Sequence, residues 1–194
     1  MFAWFLLVLG LVLWFATHLL KPAFPGRRAA LAQRLGEGPV KGLLSLTTLA
    51  AVAMIVIGYQ QVPYVTVWYP PPWTTHLNNL LMVTALGVYV AGGIPGHVRA
   101  WIRHPQLTGV KIWAVAHLLV NGHLAAVILF TAMLAWAVIT VITVNRRDGK
   151  GPKPVPKGIV PNLIHAAVTL GVTIVVMLIH NWVGVWPFAG APPA

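Results

Sequence analysis

Hydrophobic positions along this chain come in long unbroken runs, neither the alternation of a half-buried strand nor the narrow stripe of a surface helix. The runs 2–20, 42–59, 77–94 and 162–183 each approach the roughly 20 apolar residues needed to cross a bilayer core, and so predict four spanning helices. A further run, 110–142, would be roughly 50 Å long as one helix. A hydrocarbon core is only roughly 30 Å thick, so that run must kink or fold back.

Loop charge chooses between those options, because Lys and Arg in short loops stay on the cytoplasmic side. Segment 21–41 carries Lys21, Arg27, Arg28, Arg34 and Lys41, and segment 60–76 carries no charge. Segment 95–111 carries Arg99, Arg103 and Lys111, and segment 144–160 carries Arg146, Arg147, Lys150, Lys153 and Lys157. Basic loops flank the 110–142 run on both sides, so the chain enters and leaves it on the same face. A hairpin is expected, turning at Asn121-Gly122, a strong turn dipeptide inside an apolar stretch. The predicted architecture is an all-α integral membrane protein with six crossings: five full spans and one short arm, 110–120, of about 16 Å. Such an arm is tolerated only where protein or a cavity covers it. Both termini are expected outside, periplasmic for a multi-pass protein of the cell inner membrane.

Composition agrees. Hydrophobic residues make up 58% of the 194 residues, charged residues 8%, and mean hydropathy is +0.81, which excludes a soluble fold. No repeat or soluble segment interrupts the runs, so residues 1–194 are read as one transmembrane domain. Thirteen basic residues face two acids, Glu37 and Asp148. No base-stacking or groove-reading motif accompanies that excess, so it is topogenic charge and not a nucleic-acid interface. With no cysteine, disulfides, thiolate metal sites and covalent c-type haem attachment are excluded. Residues 2–20 read as a retained span, since no basic segment precedes Phe2 and the run is longer than a signal core. The Pro-rich stretch 152–161 reads as a stiff cytoplasmic link. Pro70, Pro71 and Pro72 with Trp68, Tyr69 and Trp73 read as an outer interfacial collar.

Eight histidines stand out in so apolar a chain, because ionisable groups at membrane depth usually face a partner, cavity or cofactor. The predicted topology places His18, His97, His104, His117 and His165 toward the cytoplasmic side and His76, His123 and His180 toward the outer side. On that reading the two sets share no site. His18 lies just inside Lys21 and His117 just inside Lys111, at similar expected depth. Opposed imidazoles in a helical bundle suit axial ligation of a b-type haem, and Arg99, Arg103 and Lys111 would answer its propionates. The plain alternative is interhelical hydrogen bonding by scattered histidines. Zinc is a weaker option, since no carboxylate lies near these histidines and both acids sit in basic loops. Ser45, the only serine, has no evident His/Asp partner for nucleophilic catalysis. Arg103-His104-Pro105 ahead of the short arm reads first as an interfacial turn.

The stretch His104-Pro105-Gln106-Leu107-Thr108-Gly109-Val110-Lys111-Ile112-Trp113-Ala114, followed by Ala116-His117-Leu118-Leu119-Val120-Asn121-Gly122, closely resembles the signature of the NnrU family. Thr17-His18-Leu19, Arg34-Leu35-Gly36-Glu37, Tyr59, His76-Leu77 and His180 fall in the family's order. The resemblance implies a role in denitrification, in the expression or activity of nitrite and nitric oxide reductases. The family is also similar to the 15-cis-zeta-carotene isomerase of plants and cyanobacteria, which binds haem b through two histidines. Carried over by motif, those ligands fall on His18 and His117, with Arg103 and His104 positioning propionate or substrate. The chain departs from the family pattern at His123, where Asp usually follows Asn-Gly. Expected partners are the bilayer and either a hydrophobic small molecule or membrane proteins of denitrification. If the protein is an enzyme, the resemblance implies a haem-dependent isomerase; a cofactor-free accessory protein is the alternative. Arg-His-Pro before a hairpin also resembles membrane methyltransferases, but Asn145-Arg146-Arg147-Asp148 offers no acidic pair for a methyl donor.

Overall fold

A computed structural model describes residues 1–149, 151 and 154–187, and within them the fold is helical throughout. Eight helices follow in order among the described residues: α1 (Phe2–Ala23), α2 (Pro25–Leu35), α3 (Glu37–Gln61), α4 (Thr74–Ala91), α5 (His97–Trp101), α6 (Pro105–Val120), α7 (Leu124–Asp148) and α8 (Val160–Trp182). Four of these, α1, α3, α7 and α8, are long and apolar enough to cross a membrane. The protein is therefore a helical membrane protein. At 18 residues α4 is not among the four, and α6, with 16 residues, is about 24 Å long and shorter than a bilayer core.

The 110–142 run breaks where the turn dipeptide stands, with α6 ending at Val120 and α7 beginning at Leu124. Two boundaries differ from expectation. The short arm is longer than predicted because α6 starts at Pro105, whose missing N–H costs nothing at the first helical position. The basic loops also hold helices of their own, α2 and α5. Pro25 starts α2, and Gly36, at φ 87°, takes the left-handed backbone between α2 and α3 that other residues rarely adopt. Lys150, Pro152 and Lys153, part of the predicted basic loop and stiff link, lie outside the described residues.

The helices gather into two compact units: α1, α2, α3 and α7 in the first, α4, α5, α6 and α8 in the second. In the first, α1 and α3 run antiparallel and touch backbone to backbone. A methyl group at Gly58 would meet the Leu7 nitrogen at 2.5 Å and the Ala3 carbonyl at 2.8 Å, and one at Gly10 would meet the Ala51 carbonyl at 2.8 Å. Small residues at both crossings permit this approach, and in lipid, where apolar burial drives no association, such close packing is the main attraction between helices. One end of this unit is basic: Lys21 closes α1, and the Arg147 guanidinium reaches the Lys21 carbonyl at 3.4 Å from the end of α7. Nearby, Arg28 of α2 binds Glu37 at the start of α3 through two hydrogen bonds of 2.5 and 2.6 Å.

The second unit repeats the arrangement. Helix α4 is central and antiparallel to both neighbours, since Gly109 of α6 packs on the Ala85 carbonyl and Tyr89, while Gly87 packs on Thr169 of α8. Its basic end is tied by the Lys157 N–H to the Pro95 carbonyl (3.1 Å) and by Asn162, whose Oδ1 accepts from the His97 backbone N–H at 3.0 Å. At the opposite end the Trp68 N–H donates to the Gly122 carbonyl (3.1 Å), and any side chain at Gly122 would collide with the Trp68 backbone.

Candidate functional site

His18 occupies the last turns of α1, at the basic end of the first unit. Its ring stacks on Trp14, centres 3.9 Å apart with planes 20° from parallel, and meets Trp136 of α7 edge-on at 5.4 Å. The Nδ1 lies 2.9 Å from the Trp14 carbonyl. A carbonyl only accepts, so Nδ1 carries the proton and Nε2 is left with its lone pair. Beside the ring, the indole N–H groups of Trp14 and Trp136 are buried without a hydrogen-bond partner among the described residues, which is costly in an apolar interior. Thr17 and His18 of α1 with Leu44, Ser45, Thr48 and Leu49 of α3 line a cleft of about 470 Å³.

His117 sits in the last turn of α6 and His180 in the last turn of α8, both within the second unit. Their ring centres are 6.5 Å apart, with planes inclined at 46°. Each Nδ1 donates to the carbonyl one turn back in its own helix, His117 to Trp113 at 3.0 Å and His180 to Val176 at 2.8 Å. Both imidazoles therefore carry the proton on Nδ1, as does His18. This pairing corrects the topological sorting, which kept His117 and His180 apart. Taking Lys111 as the membrane edge set His117 too close to the basic end. With α6 beginning at Pro105, His117 lies in the last turn, away from that end, and the common depth expected for His18 and His117 loses its basis.

Arg99, Arg103 and His104 do converge. With Gly92, Gln106 and Leu107 they line a polar cleft of about 250 Å³ at the basic end of the second unit. Lys111, expected to join them, is not part of that lining; it stands more than a turn further along α6. Two other histidines make the interhelical bonds of the plain alternative. His165 Nε2 donates to the Gly87 carbonyl at 2.7 Å, joining α8 to α4, and His97 Nδ1 accepts from the Asn162 side-chain amide at 2.8 Å. His123 stacks on Tyr64 (4.9 Å, 24°) and meets Tyr59 at 5.5 Å. Desolvation holds its pKa below the usual histidine value. The His117–His180 pair is the feature that periodicity missed. Its signal was present in the sequence, in that each histidine stands close before the end of its helix.

No curated protein matches the chain, and no solved structure matches it either. The family model described as NnrU protein matches residues 6–187, nearly the full length, and the chain belongs to the NnrU family.

Proposed function

We propose that this protein is a six-crossing inner-membrane protein, with both termini periplasmic, that holds haem b through histidine nitrogen and serves nitrogen-oxide respiration or haem-dependent cis–trans isomerisation. The observation that carries the reading is the shared state of His18 and His117. Each ties Nδ1–H to its own helix and keeps Nε2 as the lone-pair nitrogen, the arrangement that orients imidazole for metal ligation. In a chain without cysteine, histidine is the natural axial donor. His18 and His117 are the two ligands that the family resemblance assigns. Arg99, Arg103 and His104, gathered around one polar cleft, would hold carboxylate groups, with Lys111 further along α6. When bound, haem would supply a Lewis-acid or one-electron centre next to an extended apolar molecule. The residues of this chain orient the donors through their Nδ1 hydrogen bonds. Helix directions favour six crossings, since in each unit the basic residues collect at one end and neighbouring helices alternate in direction.

A cofactor-free accessory role is the second reading. It is favoured by His97 and His165, whose ring nitrogens are engaged in contacts between elements. One measurement separates the two. Protein purified in detergent with haem supplied is expected to give Soret and alpha bands in a reduced-minus-oxidised spectrum, weakened by His117→Ala. A colourless protein, or bands unchanged in both His18→Ala and His117→Ala, would overturn the haem assignment.

A further inference from the structure

The cleft of about 470 Å³ between α1 and α3 falls in the roughly 300–1,000 Å³ range of small-molecule sites. It lies near the charged edge of the first unit. His18 stands three residues before Lys21 and Ser45 four residues after Lys41, about 5 and 6 Å of helix rise from those charges. Leu49 in its lining is 66% exposed and Leu46 beside it 67%, so the cleft runs out onto the apolar surface of a spanning helix. Two of its hydroxyl groups are spoken for. Thr17 shares its proton between the Leu13 and Trp14 carbonyls at 2.9 and 3.0 Å, and Thr48 gives its own to Leu44 at 2.8 Å, as hydroxyls inside helices commonly do. Ser45 makes no such bond among the described residues, although Thr47 and Thr48 on the same turn do. His18 Nε2 also lacks a partner among the described residues, since the ring bonds to Trp14 through Nδ1. It is not one of the buried partnerless nitrogens, which here are the indole groups beside it. It is therefore reached from outside, in a ring that lines the cleft.

We infer that this cleft binds the hydroxyl end of a membrane-soluble molecule, with His18 Nε2 accepting the hydroxyl proton. Nδ1 holds the ring's own proton, so Nε2 only accepts and the ligand has to donate. A hydroxyl does this; a carbonyl, an ether or a hydrocarbon does not. The Ser45 O–H is the complementary donor for a ligand oxygen. A wholly hydrocarbon occupant would cover both groups and leave them unpaired, which is costly in apolar surroundings. The apolar tail lies along Leu46 and Leu49, with its polar end toward Lys21 and Lys41. Two kinds of molecule share this chemistry, an isoprenoid or fatty alcohol and a lipid-soluble hydroquinone. The inference goes beyond the haem reading and does not rest on it. An Nε2 that accepts from a hydroxyl is closed to iron, so the two occupants exclude each other at His18.

The test uses the full chain in detergent with no haem supplied, and counts bound ligand by native mass spectrometry. The probes are farnesol and a decyl hydroquinone, each beside its methyl ether, which keeps the tail and ring but lacks the O–H. One saturable molecule per chain is expected for a hydroxyl probe, with its ether about tenfold weaker, the loss of one hydrogen bond to a desolvated acceptor. The tighter of the two hydroxyl probes names the kind of molecule. His18→Phe is expected to bind the hydroxyl probe no better than wild type binds the ether. His18→Gln, whose side-chain carbonyl also accepts, is expected to keep part of the affinity, and this pair distinguishes a lost acceptor from a misfolded protein. Ethers that bind as tightly as the hydroxyl probes, no saturable binding of either hydroxyl probe, or a His18→Phe protein that binds like wild type overturns the inference. Binding is read without haem, so its failure is distinct from a failure of the haem reading, which the reduced-minus-oxidised spectrum decides.

Discussion

Trp14 and His18 form one rigid element: the imidazole lies flat on the indole, centres 3.9 Å apart, and donates its Nδ1 proton to the carbonyl of the same tryptophan. Trp136 closes the arrangement edge-on, 5.4 Å from each ring. Its indole N–H is buried without a partner among the described residues. The ring volume therefore stabilises this site while the N–H does not. Trp136→Ala is expected to cost about 3–5 kcal/mol. Trp136→Phe is expected to be nearly neutral, because removing an unpaired buried donor recovers roughly 1–3 kcal/mol. Unfolding of both variants in detergent checks this; a Phe variant as damaged as the Ala variant would show that the indole nitrogen has a partner.

Glycine has opposite values at two positions of one helix. At Gly58 an added methyl group meets the α1 backbone at 2.5–2.9 Å, whereas at Gly42 it meets nothing within 4 Å. Gly58→Ala is expected to destabilise by about 1–3 kcal/mol through overpacking. Gly42→Ala is expected to be neutral or to stabilise by up to about 1 kcal/mol, the helix-propensity difference. Thermal inactivation of the two purified variants, compared with wild type, reads the sign directly.

His165 is expected to be structural. Its 2.7 Å hydrogen bond to the Gly87 carbonyl joins α8 to α4, and interhelical bonds of this kind in membranes contribute roughly 0.5–2 kcal/mol. His165→Phe should lower stability by that amount and leave any haem spectrum unchanged. A changed spectrum with unchanged stability would place His165 at the cofactor.

Acid should weaken the first unit at His123, which faces Tyr59 and Tyr64 and no charged group among its ring contacts. Desolvation lowers its pKa below 6.5, so the unfolded chain takes up the proton first and stability rises with pH. The contribution is present above about pH 6.5 and is lost as pH falls through the lower folded value. A pH series of melting temperatures on wild type and His123→Asn tests this. The slope between pH 7.5 and 5 should be shallower in the variant, and equal slopes would refute the assignment.

The runs of apolar residues, the alternating charge of the loops and the turn dipeptide Asn121-Gly122 were enough to establish a helical membrane protein and the break between α6 and α7. These features report on transfer into lipid and on local backbone preference, which are properties of short stretches of chain. The family signature, from His104 to Gly122, was legible for the same reason. Helix starts were less legible, because Pro105 both forbids a helix before it and favours one after it. The partners of side chains could not be read at all. Whether His117 meets His180 depends on the start of α6, on how α6 and α8 pack against α4 at Gly109 and Gly87, and on which way each ring is turned by its carbonyl one helical turn back. Charge counting assigned those two histidines to opposite sides of the membrane. Packing, which acts between segments far apart in the chain, brought their rings to 6.5 Å.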